Sequence, residues 1–414
     1  MARTTASENG DSLLRHPGFV RFWCTRVASS FAYQMVSVAV GWQIYALTHR
    51  ALDLGIIGLV QFLPALLLAL PAGHMADRYE RRRMVIACQA LECIAMMALA
   101  VGSLFRWFDE PAILAMILVI GCAKAVEFPT MLALLPSLVP PAIFPRAVAA
   151  NSGAFLAATI MGPALGGLLY VAGADVVYGL SALLCLVAVL LMWRLKTEAP
   201  PQKREPATFR TLFAGIGFIR QRPVILGAIS LDLFAVLLGG ATALLPVFAR
   251  DILHTGPWGL GLLRAAPGVG ALAMSVWLTH YPLVRRVGHI MFYAVAGFGI
   301  ATIVFGLSTS FPLSLAALVA LGALDMPSMV IRGTLVQLET PDEMRGRVSA
   351  VNSIFINASN QLGEFESGVT AQWFGAVTAT VIGGIGTLLV VALWMRWFPE
   401  LRMRERLESG QATA

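Results

Sequence analysis

Residues 121–167 read GCAKAVEFPTMLALLPSLVPPAIFPRAVAANSGAFLAATIMGPALGG, and the fold is decided by how this stretch is read. It begins in an apolar segment carrying Lys124 and Glu127. It then passes a proline-rich turn and enters a second apolar segment with Gly162, Pro163, Gly166 and Gly167. Part of it recurs at a fixed offset of 201 residues. Gly121, Pro140, Arg146, Ala149, Asn151, Ser152, Gly162 and Gly167 map onto Gly322, Pro341, Arg347, Ala350, Asn352, Ser353, Gly363 and Gly368. Any one identity among such common residues means little, but the ordered set indicates an internal duplication.

The chain has 414 residues, of which 58% are hydrophobic and 13% charged. A soluble domain of this size needs far more charge to cover its surface. The apolar residues come in runs of about 20, enough to cross a bilayer core of roughly 30 Å. Only helices or closed barrels satisfy their backbone in lipid, and the short alternating segments of a barrel are absent. The expected fold is therefore an all-α membrane protein with twelve spans. They are placed at 19–46, 53–72, 84–105, 112–137, 147–172, 177–195, 224–248, 258–279, 289–308, 313–336, 348–372 and 377–397. The polar residues 1–17 lack the order of a signal peptide, so the first span is expected to be retained.

Charge separates the connections into two sets. Arg78, Arg81, Arg82, Arg83, Arg146, Lys196, Lys203, Arg204, Arg210, Arg285, Arg286, Arg345, Arg347 and the tail arginines share one side. The other side holds Arg50, Arg106 and Arg250 beside Asp53, Asp109, Glu110, Asp175 and Asp251. By the positive-inside rule both termini are expected to be cytoplasmic. The net charge of +7 is then topological, and the partner it implies is the lipid bilayer, not nucleic acid. The connection 196–222 is polar and proline-containing at first. It then predicts a short interfacial helix over 211–222 with Leu212, Phe213, Ile216 and Ile219 toward lipid. This divides the chain into bundles at 1–195 and 223–414.

Cys24, Cys88, Cys93, Cys122 and Cys185 all lie in apolar segments without a Cys-x-x-Cys pair, and the six histidines are scattered over polar connections. No disulfide, metal site or cofactor is expected. The absence of a Gly-x4-Gly-Lys-Ser/Thr loop argues against an ATP-driven pump, and nothing suggests an enzyme.

Ionisable groups inside spans are costly unless paired, so each is a functional candidate. They are Arg26, Glu92, Lys124, Glu127, Asp232, Arg264, Asp325, Arg332, Glu364 and Glu366. Lys124 and Glu127, three apart, share a helix face and can pair. Asp325 and Arg332, seven apart, nearly share one. Lys124 and Asp325 are equivalent under the repeat, which predicts that they face each other across a central cavity. We read Lys124, Glu127, Asp232, Asp325, Glu364 and Arg26 as the proton-coupling and cavity set. The alternative is static buried pairs that fix helix register. Glu92 is expected on a packed face and Arg264 near the external end. Gly162-Pro163-x-x-Gly166-Gly167 predicts close helix approach with a bend. The turn GHMADRYERRR, 73–83, sets Asp77 among arginines as a cytoplasmic clamp.

Gly73-x-x-x-Asp77-Arg78-x-x-Arg81-Arg82 resembles the signature loop between the second and third helices of the major facilitator superfamily, with Glu80 in place of a glycine. The Gly162-Pro163 segment is similar to that superfamily's fifth-helix antiporter motif, with Ala158 in place of the usual preceding glycine. Lys124-x-x-Glu127-Phe128 stands where drug antiporters have Arg-x-x-Gln-Gly. Residues 15–23, 245–253 and 340–353 resemble the bacterial branch of siderophore exporters and macrolide efflux proteins. The resemblance implies two pseudosymmetric six-helix bundles, a central cavity and alternating access. It also implies a monomeric inner-membrane exporter of a small amphipathic compound, driven by protons. Importer or uniporter and lipid-handling readings stay open. Tyr33, Gln34, Gln43 and Phe234 are the expected substrate contacts.

Overall fold

A computed structural model describes residues 13–195 and 209–406, so Lys196, Lys203 and Arg204 of the linker lie outside the described residues. The first half contains α1 (Pro17–Thr48), α2 (Ala51–Arg78), α3 (Arg81–Leu104), α4 (Glu110–Leu134), α5 (Phe144–Tyr170) and α6 (Ala174–Trp193). The short helix α7 (Phe209–Arg220) precedes the second half. That half contains α8 (Pro223–Leu238), α9 (Leu245–Val247), α10 (Pro257–His280), α11 (Val287–Leu307), α12 (Phe311–Glu339), α13 (Asp342–Phe374), α14 (Ala376–Trp397) and the terminal turn α15 (Pro399–Arg402). The seventh span runs from α8 to Ile252 and breaks at Gly239 and Gly240. There Thr387 Oγ1 donates to the carbonyl of Ala235 at 3.1 Å.

Ten segments among the described residues are long and apolar enough to cross a membrane; α1 and α13 complete the twelve spans. These two helices, 32 and 33 residues long, are more polar than the other ten. α1 packs on α5 and α6, and α13 packs on α2 and α8. Each half forms a six-helix bundle, and the bundles meet along two seams, α2 against α13 and α5 against α10.

The repeat explains itself at these contacts. Gly121 of α4 lies against Pro64 of α2, where an added Cβ would come within 3.5 Å of the ring. Its equivalent, Gly322 of α12, lies against Pro267 of α10, with Cα 2.6 Å from an added Cβ. Gly162 accommodates Gln34 of α1, and Gly363 accommodates the α8 backbone at Val236 and Leu237. Gly167 meets Gly261 of α10, while Gly368 meets Gly55 of α2, in each case with an added Cβ 2.6–2.8 Å from the partner Cα. Only a residue without a side chain lets backbones cross this closely. The retained glycines thus mark one packing scheme built twice.

Both Gly–Gly crossings lie near the face opposite the arginine-rich connections. Tyr45, at the end of α1, also donates to the Asp251 carboxylate across the bundles on that side. The expected clamp on the basic face is resolved only in part. Gly73, Asp77 and Arg78 close α2, where their side chains lie outside those described. Arg81 Nη1 donates to the Ala133 carbonyl at 3.0 Å, and Arg82 Nε donates to the Met192 carbonyl at 3.2 Å. These groups cap the C-terminal ends of α4 and α6, where a cation complements free carbonyls. Both contacts stay within the first bundle.

The expectation for α7 needs correction. Ile219 is 2% exposed and packs with Ile225, Val336, Val348 and Val351, with Ile216 beside them. Gly215 lies against the backbone at Arg347, which draws the apolar side of α7 onto α13 and away from lipid. Leu212 and Phe213 lie outside the side chains described.

Candidate functional site

In the first bundle, Asp109 caps α4 by accepting from the Ala112 amide at 3.2 Å. The helix then runs without a break to the turn that holds Lys124 and Glu127. Their i, i+3 spacing brings Lys124 Nζ onto Glu127 Oε2, as the sequence predicts. The same Nζ lies 2.9 Å from Glu92 Oε2 on α3, so one ammonium serves two carboxylates. Glu127 is fully engaged, because Gln89 Nε2 donates to its second oxygen at 2.8 Å. Glu92 is not: its Oε1 has no hydrogen-bond partner among the described residues, and neither does Gln89 Oε1. Both glutamates are buried from solvent, whereas the Lys124 side chain is 21% exposed. Arg26 of α1 is stacked over Phe128 and Phe155, at 5.2 and 5.4 Å, and its charge reaches Glu127.

In the second bundle, Asp232 of α8 pairs with Arg332 of α12, and both are buried. Asp325, two turns before Arg332, lines a pocket of about 230 Å³ with Asp232, Val236, Val295 and Phe298. Lys124 and Asp325 therefore do not face each other. Lys124 turns to α3, and Asp325 turns to α8 and α11.

Between the bundles lies a different group. Tyr33 donates to Gln61 Oε1 at 3.0 Å, and its ring sits 5.6 Å from Lys124 Nζ. Tyr33, Ser37, Gln61, Ile117 and Ile120, all of the first bundle, line a small cleft. Arg264 of α10 reaches over to α1 and donates to the Ser37 carbonyl at 3.4 Å. Glu364 of α13 lies against α2, its Oε2 3.0 Å from a Cβ built on Gly58, and feels the charge of Arg264. The sequence marks Glu92 and Arg264 as candidates by their charge inside a span, but places Glu92 on a packed face and Arg264 near the external end and leaves both out of the coupling set.

Of the expected substrate contacts, Tyr33 lines the cleft. Gln34 instead donates to Thr159 Oγ1 at 3.1 Å, tying α1 to α5. Gln43 accepts from Tyr178 at 2.7 Å and donates to Ser103 at 3.1 Å, inside the first bundle. Phe234 packs its ring 5.3 Å from that of Trp394 on α14. A one-dimensional pattern cannot distinguish a helix face turned to the cavity from one turned to a neighbour. All five cysteines are free.

A family model described as transmembrane secretion effector matches residues 10–411. The enterobactin exporter EntS of Citrobacter koseri is 26% identical over 396 residues, covering 94% of each chain. That of Escherichia coli O1:K1 / APEC is 26% identical over 408 residues, covering 97% of each. Among solved structures, a bacterial homologue of the human lysosomal transporter Spinster superposes with a TM-score of 0.74 at 13% identity. It covers 95% of this chain and 97% of its own. A D-xylose–proton symporter superposes with a TM-score of 0.71 at 13% identity, covering 92% of this chain and 98% of its own.

Proposed function

The chain belongs to the transmembrane secretion effector family of the major facilitator superfamily, and on that premise we propose that it exports a small amphipathic compound by proton antiport. It is a membrane transporter and not an enzyme. The observation that carries the coupling is the buried Glu92–Lys124–Glu127 cluster beside the Tyr33–Gln61 cleft of the first bundle. Two carboxylates compete there for one ammonium, so a proton can replace part of the cation's work. Names of relatives at 26% identity support a siderophore-type substrate. The Tyr33–Gln61 cleft, apolar along Ile117 and Ile120, suits a compound with a ring system and a few polar anchors.

In this reading the basic face is cytoplasmic, and the Gly55–Gly368 and Gly167–Gly261 crossings close the opposite face. The two bundles rock about the cleft. Arg264 and Glu364 lie where polar groups of the substrate would pass between the bundles, and Asp232–Arg332 holds α8 to α12. The protein works as a monomer in the inner membrane. The test is transport by purified protein in liposomes, with enterobactin and a hydrophobic cation such as ethidium as probes. Accumulation that follows an imposed pH gradient is expected for one of them. Flux of both that ignores the gradient contradicts the proton coupling.

A further inference from the structure

We propose that Glu92 is the proton carrier, binding its proton on Oε1 inside the first bundle. The proposal deepens the antiport reading and rests on it. Three features of the geometry favour Glu92 over Glu127 within the Lys124 cluster. First, its hydrogen bonding is incomplete, with Oε1 lacking a donor in a site sealed from solvent. A buried acceptor left without a donor is costly, and a proton on that oxygen removes the cost. Second, Glu92 and Glu127 share the one Lys124 ammonium, which lies 2.9 Å from Glu92 Oε2, so the carboxylates outnumber the cation between them. Third, Gln89 Oε1, on the same face of α3 and three residues away, is also without a donor. It can accept the hydrogen bond that a protonated Glu92 would give.

Glu127 is the wrong candidate, because both its oxygens already accept, one from Lys124 and one from Gln89. The groups facing Glu92 are few. From α4 come Lys124 and Glu127, and from α6 comes Cys185, whose Sγ is 3.9 Å from Glu92 Oε2. From α1 comes Tyr33, with Arg26 acting on Glu127, and Cys88 and Gln89 belong to α3 itself. The step is a simple dissociation: the Glu92 carboxyl loses its proton to water in the cleft, and Lys124 draws closer to the carboxylate formed. Lys124, the partly exposed member, lies between Glu92 and the cleft at Tyr33 and so marks the way out.

The experiment is an infrared pH titration of the purified full chain in lipid vesicles, with no substrate added. It follows the C=O stretch of protonated carboxyl groups. The wild type should show a band that disappears as pH rises; Glu92→Gln should lack it, and Glu92→Asp should restore it at a shifted frequency. Asp325→Asn should keep it. A band that persists in Glu92→Gln, or vanishes in Asp325→Asn, overturns the assignment, and Glu92→Asp guards against a loss caused by misfolding. Because the band is read without transport, its failure is separate from that of the antiport reading. The latter fails when wild-type enterobactin and ethidium flux ignores the pH gradient.

Discussion

In the first bundle a single ammonium, that of Lys124, stands between two carboxylates on neighbouring helices, and one of these keeps an unused oxygen. In the second, Arg332 meets Asp232 alone, and Asp325 lies in the same pocket without an ion pair among the described residues. The repeat that built both halves therefore kept its glycines and changed its charges. Matched charges can hold helices in register without further duty. Charges that outnumber their partners leave a state that a proton can complete. On this comparison we propose that the first bundle couples and that the Asp232–Arg332 pair of the second supports.

The comparison breaks most readily at Lys124. Lys124→Met would leave Glu92 and Glu127 buried without their cation. It should abolish gradient-driven flux and destabilise the protein by about 3–5 kcal/mol, read from thermal unfolding in detergent. Arg332→Met alone should destabilise by a similar amount, about 3–5 kcal/mol, since it strands Asp232. Here the halves should part. Asp232→Leu combined with Arg332→Met should return to within about 1 kcal/mol of the wild type and still transport, because a self-contained buried pair can be replaced by apolar packing. If the double variant folds well but cannot couple, the second bundle does more than support.

Smaller effects test the scaffold that the halves share. Gly55→Ala and Gly261→Ala place a methyl group 3.0 Å from the partner glycine Cα on equivalent seams. Each should cost about 1–3 kcal/mol, with the same sign and a matching loss of transport rate. Unequal responses would show that the seams are not equivalent. Tyr45→Phe removes one hydrogen bond to the exposed Asp251 and should cost about 1 kcal/mol, visible as a small fall in unfolding midpoint with coupling intact.

Much of the fold is legible in the sequence, because membrane spans announce themselves by length and composition. The duplication is legible too, since its identities include the glycines at both seams. The Lys124–Glu127 pair follows from helical spacing alone. What stays hidden is tertiary. Glu92 joins that pair only because α3 packs on α4, and nothing local to Glu92 points to Lys124. Gln43 reads like a cavity residue until Tyr178 and Ser103 are found to occupy it. Arg264, two turns into α10, gains its place at the cleft from the tilt that carries it to Ser37. The apolar face of α7 meets α13 and not lipid for the same reason: amphipathicity states that a face will be covered, not what covers it.

The central claim is that coupling resides in the first bundle. Its most direct test measures substrate flux against an imposed pH gradient in liposomes, using whichever of enterobactin and ethidium the wild type carries. Glu92→Gln and the Asp232→Leu/Arg332→Met double variant are compared with the wild type. The account predicts that the double variant keeps a gradient-dependent flux. It predicts that Glu92→Gln exchanges substrate without a gradient and no longer responds to one. A double variant that loses the response while Glu92→Gln keeps it would contradict the account.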